Sequence, residues 1–235
     1  MRNRFTLAAV LAVAALALTA VPAGAAGNPA TGGPAGKSCG EIRLSGSLPA
    51  PPAGTAVQQT VTIGPDCTPR FGEVRLVPAA SPTEAKAASA TVSATAAPAL
   101  AAGTVHRLKS WNEMFDCCNI RMTGVYSTSE WTTDSGRIST AATTVTQGWN
   151  REPWNAGWSL ASATKSTDCL TDCGASRTQA HADFTYKGIF DLSGKTYANS
   201  HHSYVDLNAD GTATCRFDVQ LRNSFIGWNW QRGCS

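Results

Sequence analysis

The chain has 235 residues, a formal net charge of +3 from 19 Lys and Arg against 16 Asp and Glu, only 15% charged side chains, and eight cysteines. The basic excess sits at the amino terminus: without Arg2 and Arg4 the counts are 17 and 16, and from Thr104 onward 12 basic and 12 acidic residues are interspersed. Nucleic-acid binding needs clustered cations to displace phosphate counterions, so nucleic acid is excluded as an expected partner.

Arg2 and Arg4 precede an Ala/Leu/Val-rich run from Leu7 to Ala20, then Pro22 and the small residues Ala23-Gly24-Ala25. That order predicts a secretory signal peptide over 1–25, because the run is shorter than the ~20 residues a permanent membrane helix requires. No second long apolar run follows, so no membrane span is expected in the mature form. Residues 26–36 read as a flexible tail. Segment 37–77 reads as a small β-rich unit or pro-region with strands at Glu41 to Ser45, Val57 to Ile63 and Glu73 to Val77. Its brief echo, Gly40 to Leu44 against Gly72 to Leu76, reads as shared strand composition. From 78 to 103 the chain reduces to Ala, Ser, Thr and Pro with Glu84 and Lys86 as its only charges. Such a stretch cannot build a core and is expected to be a linker.

The remaining segment, 104–235, carries strand periodicity. Ala213, Cys215, Phe217, Val219 and Leu221 alternate with polar residues, as do Ala180, Ala182, Phe184 and Tyr186. Alternation of period two marks half-buried strands. The turn Asn208-Ala209-Asp210-Gly211 makes Ser203 to Leu221 a hairpin, and Asp134-Ser135-Gly136 joins two Ser/Thr-rich runs into another. With no helical stripe, the expected fold is all-β, a disulfide-stabilised antiparallel sandwich, with a barrel as second choice.

All eight cysteines, Cys39, Cys67, Cys117, Cys118, Cys169, Cys173, Cys215 and Cys234, follow the expected cleavage point. Outside the cell an even number predicts disulfides, with Cys39 and Cys67 the one pairing suggested by a shared short segment. Neighbouring strand residues point to opposite faces, so Cys117 and Cys118 are expected to take different partners, with disulfide exchange chemistry as the lesser alternative. A Cys169/Cys173/His181 zinc site lacks a fourth ligand, and a disulfide role is preferred for the two cysteines. No cofactor is implied.

All seven tryptophans lie beyond residue 103. Trp149, Trp154 and Trp158 share a Pro/Gly/Asn-punctuated stretch, and Trp228 and Trp230 lie near the end. Exposed indoles suit stacking on sugar rings, so these five are the candidate ligand-binding residues, against the reading that they cover the ends of a small core. Asp206 to Thr212 imitates the first half of a calcium loop, but Phe217 stands where a bidentate Glu is required, which favours a plain hairpin turn. Glu113, Glu130 and Glu152 could pair for glycoside hydrolysis, and His201 or His202 could act as a base, yet no nucleophile, metallopeptidase or phosphate-loop motif is present.

The run Trp111-Asn112-Glu113-Met114-Phe115-Asp116-Cys117-Cys118, together with Gly-Trp-Asn at 148–150 and 227–229, resembles uncharacterised secreted proteins of actinobacteria. The resemblance implies export and brings no activity, ligand or catalytic residue. The resulting expectation is a secreted, non-enzymatic module that binds polysaccharide or cell-envelope surfaces. A secreted hydrolase and a proteinaceous inhibitor are the alternatives.

Overall fold

Two-residue alternation organises the molecule. Along the strand Thr196–Asn208 every second residue is buried, and the strand Ala213–Phe225 behaves the same way over most of its length. Branched and aromatic side chains on one face, with Thr, Arg and Asp on the other, give each strand one face for a core and one for water. The computed structural model describes residues 38–52, 54–79, 103–150, 157–187 and 196–235, all within the compact unit Pro34–Ser235. The expected leader, the tail and most of the expected linker lie outside the described residues.

In chain order the strands are β1 (Ser38–Pro49), β2 (Thr55–Ile63), β3 (Pro69–Phe71), β4 (Arg75–Pro78), β5 (Thr104–Phe115), β6 (Arg121–Asp134), β7 (Arg137–Trp149), β8 (Trp158–Thr167), β9 (Thr171–Cys173), β10 (Ala175–Lys187), β11 (Thr196–Asn208), β12 (Ala213–Phe225) and β13 (Asn229–Cys234). A small sheet runs β1-β12-β11-β10-β8, and a large one runs β3-β2-β13-β5-β6-β7-β9 with β4 also on β2. Every pairing is antiparallel, and neither sheet closes on itself. The fold is an all-β sandwich.

Turn chemistry sets the registers. Ser135 and Gly136 both take positive φ (50° and 74°), the requirement of the tight two-residue turn that matches strand twist. That turn places Asp134 opposite Arg137 and runs the β6–β7 ladder back to Thr123 opposite Trp149. At the β11–β12 hairpin Gly211 has φ +83°, and a Cβ there would fall 2.5 Å from the His106 ring. Glycine is needed there for both conformation and room.

The N-terminal segment, expected as a small β-rich disulfide segment or pro-region, supplies strands to both sheets. β1 lies beside β12 from Ile42 opposite Leu221 to Pro49 opposite Thr214. β2 lies beside β13 from Val57 opposite Cys234 to Thr62 opposite Asn229. Ile42, Leu44, Leu48, Val57, Val61 and Ile63 thereby join Phe217, Val219, Leu221 and Trp230 in one buried cluster. The linker-like composition hides a non-local pairing between the two ends of the chain.

Three cysteine pairs are joined: Cys39 with Cys67, Cys169 with Cys173, and Cys215 with Cys234. The last links β12 to β13 across the two sheets. Cys117 and Cys118 were expected in bonds to different partners; instead they are free and exposed. They occupy the turn after β5 rather than a strand, so opposite-face geometry does not apply. Arg232 is the one charged side chain placed in the core among the described residues. It stacks on Trp230 at 4.6 Å and donates to Gln59 Oε1. Across the gap it lies against Gly46, where a Cβ would come 1.7 Å from Nη1.

Candidate functional site

The five tryptophans named as a stacking surface take a different position where they are described. Trp230 is fully buried, Trp158 and Trp228 are each 7% exposed, Trp149 packs half-buried against the core, and Trp154 lies outside the described residues. Trp158, Tyr186, Tyr197, Phe225 and Trp228 form a chain of ring contacts with successive centroids 5.4, 5.9, 5.5 and 5.5 Å apart. Trp149 approaches Phe184 at 6.2 Å. These rings fill one end of the sandwich, where aromatic area compensates for scarce aliphatics. Trp158, Trp228 and Trp230, packed this way, have no free face for a sugar.

The outward face of the large sheet carries a different aromatic patch. On β5, Trp111 and Glu113 point away from the core, while Ser110, Asn112 and Met114 point inward. Register places Trp111 between Gly233 on β13 and Tyr126 on β6. A Cβ on Gly233 would fall 2.0 Å from the indole Cζ2, so the ring lies across the glycine. Tyr126 similarly covers Gly124, where a Cβ would meet its hydroxyl at 2.9 Å, and Gly148, where a Cβ would meet its ring at 3.2 Å. Its hydroxyl donates to Glu113 Oε1 and accepts from Arg121 Nη1 at 2.6 Å. Arg121 also faces Glu113 at 3.4 Å. Burial first, then the Glu113 charge, pushes the Tyr126 phenol well above its ordinary range, so it stays a donor. Gln231 stands beside Glu113 on the same face. The patch thus combines two flat rings with fixed carboxylate, guanidinium and amide groups.

The outward face of the small sheet carries a histidine cluster. Asp183 accepts from Ser162 at 2.7 Å, Ser200 at 2.6 Å and His181 Nε2 at 2.8 Å. Burial would raise its pKa, but the hydrogen bonds from Ser200, Ser162 and His181 outweigh it and hold the carboxyl below its usual value. His181 and His202 are 4.2 Å apart, His202 continues to Tyr204, and Arg216 lies over Tyr204 at 3.9 Å. Burial, then the charge of His181, lowers His202. Both serine hydroxyls serve Asp183 rather than an imidazole nitrogen. Neither is placed as a base-activated nucleophile.

His201 faces the other way, into the core. Its Nδ1 donates to Asn112 Oδ1 (3.1 Å) and its Nε2 accepts from Thr123 Oγ1 (2.8 Å). Asn112 Oδ1 also accepts from Trp230 Nε1 (2.6 Å), which fixes the amide orientation. The Asn112 amide then donates to the His202 and Asp218 carbonyls, at 3.0 and 3.2 Å, on the opposite sheet. Burial first, then His202 and His181, pushes His201 down to about 3. A neutral, enclosed imidazole ties the sheets together and has no route to a substrate.

The remaining sequence candidates are dispersed. Asp206 pairs with Arg177 at 2.6 Å, and Asp210 Oδ1 accepts from the Thr212 backbone and hydroxyl. Both carboxylates serve local structure. Cys169 and Cys173 are joined to each other, which leaves no thiolate for zinc. Among the described residues no group of three or more His, Cys, Asp or Glu is placed to hold a metal. Glu130 is exposed and pairs with Arg107 at 3.3 Å, while Glu113 serves Tyr126 and Arg121; Glu152 lies outside the described residues. No family model, curated protein or solved structure matches the chain.

Sequence reasoning missed the Trp111 patch. Trp111, Glu113 and Gly233 carry their meaning only through the β13-β5-β6 register. A usable signal was the outward glycine two residues beyond Gln231, opposite an aromatic residue.

Proposed function

We propose that the chain is an exported, non-enzymatic β-sandwich module that binds polysaccharide or cell-envelope material through the outward face of the large sheet, centred on Trp111. The observation that carries this reading is the indole laid across Gly233, with the Glu113–Tyr126–Arg121 group fixed beside it. A flat ring held against the sheet loses little freedom on binding, and its free side suits the apolar face of a sugar ring. Neighbouring donors and acceptors can then engage hydroxyls directly or through water.

Export is supported by the leader-like amino terminus and by three joined cysteine pairs, which belong to an oxidising compartment. Among the described residues no helix is long and apolar enough to cross a membrane. The enzymatic alternative gains nothing from His201 or from the serines on Asp183, whose hydrogen bonds are already committed.

Retention on insoluble polysaccharides and cell-wall material, followed by tryptophan-emission titration, tests the reading. Trp111→Ala is expected to reduce retention at least about tenfold, the loss of ~1.4 kcal/mol of contact, without a large shift in melting temperature. Trp230→Phe is expected to lower stability and leave retention of the folded fraction unchanged. Equal retention by Trp111→Ala and the parent protein, or no retention on any glycan, would reject this surface.

A further inference from the structure

The turn between β5 and β6 carries the two cysteines left over by the three joined pairs. Asn119 N–H donates to Asp116 O at 3.2 Å and Asp116 N–H to Ile120 O at 3.0 Å. Cys117 and Cys118 are therefore the central residues of a β-turn, closed by Asn119 at φ 62°. Its frame is fastened from several directions. Asp116 Oδ1 accepts from the backbone N–H groups of Cys118 (2.9 Å) and Ile120 (2.8 Å). From β13, Asn229 donates to Asp116 O and Gln231 to Asn119 Oδ1. Beneath the turn lies Gly227, where a Cβ would come 3.1 Å from Cys117 Cβ. On this frame the two sulfurs stand 3.5 Å apart and both residues are exposed. The other six cysteines are already joined.

We propose that Cys117 and Cys118 form a covalent redox site, which closes on itself as a vicinal disulfide by exchange with an external disulfide and reopens with an external dithiol. In the closing step one cysteine thiolate attacks a sulfur of the external disulfide and expels one thiolate, forming a mixed disulfide. The neighbouring cysteine then attacks its partner's sulfur and expels the second. Two cysteine sulfurs are oxidised, the external disulfide is reduced to two thiols, and the two cysteine protons end on those thiols. The second step outruns any bimolecular competitor because the attacking sulfur is held next to its target. Hydrogen bonding with Cys118, then burial and nearby negative charge, raises the Cys117 thiol, so exchange quickens as pH rises. Cys117 and Cys118 are both exposed, whereas Cys39, Cys67 and Cys169 are half-buried, Cys173 is nearly buried, and Cys215 and Cys234 are fully buried. Exposed disulfides are reduced first.

The test uses the exported, folded protein. Graded reduction followed by iodoacetamide is expected to label two cysteines first, both in the peptide containing Cys117 and Cys118. Returning the reduced protein to oxidised glutathione should leave that peptide lighter by two hydrogens with no glutathione attached. Cys118→Ser, which lacks the second sulfur, should instead retain glutathione on Cys117. The proposal is overturned if the parent keeps a glutathione adduct, forms a covalent dimer through this turn, or stays fully alkylatable after oxidation. It is overturned equally if labelling begins at another pair.

Discussion

The two halves of the sandwich interior are built on different physics. Between β1, β12, β2 and β13 the facing residues are Leu44, Leu48, Val57, Val61, Phe217, Val219 and Leu221, an aliphatic and aromatic filling. Between β5, β6, β7, β10 and β11 they include Ser110, Asn112, Ser127, Ser129, Thr143, Thr178, Asn199 and His201, all buried. Ser110 meets Ser127 at 2.5 Å, Ser129 meets Thr143 at 2.8 Å, and Thr178 donates to Thr143 across the sheets at 3.2 Å. The first half draws most of its stability from area, about 1.5–3 kcal/mol per large side chain, and apart from the Arg232–Gln59 contact makes little demand on direction. The second half gains little per hydrogen bond but loses about 1–3 kcal/mol for each group left unpaired. One half tolerates a change of shape; the other demands geometry.

The sharpest contrast between the halves comes from Asn112. Asn112→Leu strands the His201 and Trp230 N–H groups, so a loss of about 3–5 kcal/mol is expected from the urea midpoint. Leu221→Met in the aliphatic half should cost under about 1.5 kcal/mol. Equal costs would erase the distinction.

Acid titration comes next. The His201 pKa is depressed to about 3 in the fold, against ~6.5 when unfolded, so the unfolded chain binds the extra proton between those values. Its stabilising contribution is complete above pH ~6.5 and declines on acidification by up to about 1.4 kcal/mol per pH unit until the folded pKa is reached. His202, also lowered, adds in the same direction. Asp183 adds its own loss once pH falls into the carboxylate range. His201→Gln is expected to lower stability at pH 7 while flattening the limb between pH 6.5 and 4.5. An unchanged slope would remove His201 as its source. The smallest effect belongs to Ser129→Ala: Thr143 keeps Thr178 as a partner, so a cost near ~1 kcal/mol is expected in the same urea assay.

The same division explains what could be read from the sequence. β12 was legible because its inward residues are Cys215, Phe217, Val219 and Leu221, which contrast with their neighbours. β6 was faint because its inward set includes Thr123, Ser127 and Ser129, and their burial is invisible to an apolar/polar pattern. Turns at Ser135-Gly136 and Asn208 to Gly211 could be recognised because their chemistry is local. Pairing of β1 with β12 and of β2 with β13 is non-local and crosses the Ala-rich stretch that resembled a boundary. The tryptophans misdirected attention for a related reason. Pro, Gly and Asn around Trp149 and Trp158 suggest exposed loops, whereas the described rings close the core's end. Trp111 acquires its surface role only when Gly233 arrives beside it.

That shared interior can be tested by cutting the chain within residues 80–102, at an introduced protease site, without reducing it. Each joined cysteine pair lies wholly on one side of such a cut, so only strand pairing and packing can hold the pieces together. The fragments are expected to co-elute in size-exclusion chromatography and to unfold in one shared transition. If the piece beginning near Thr104 instead elutes alone and remains folded, β1 and β2 are not part of its core and the account fails.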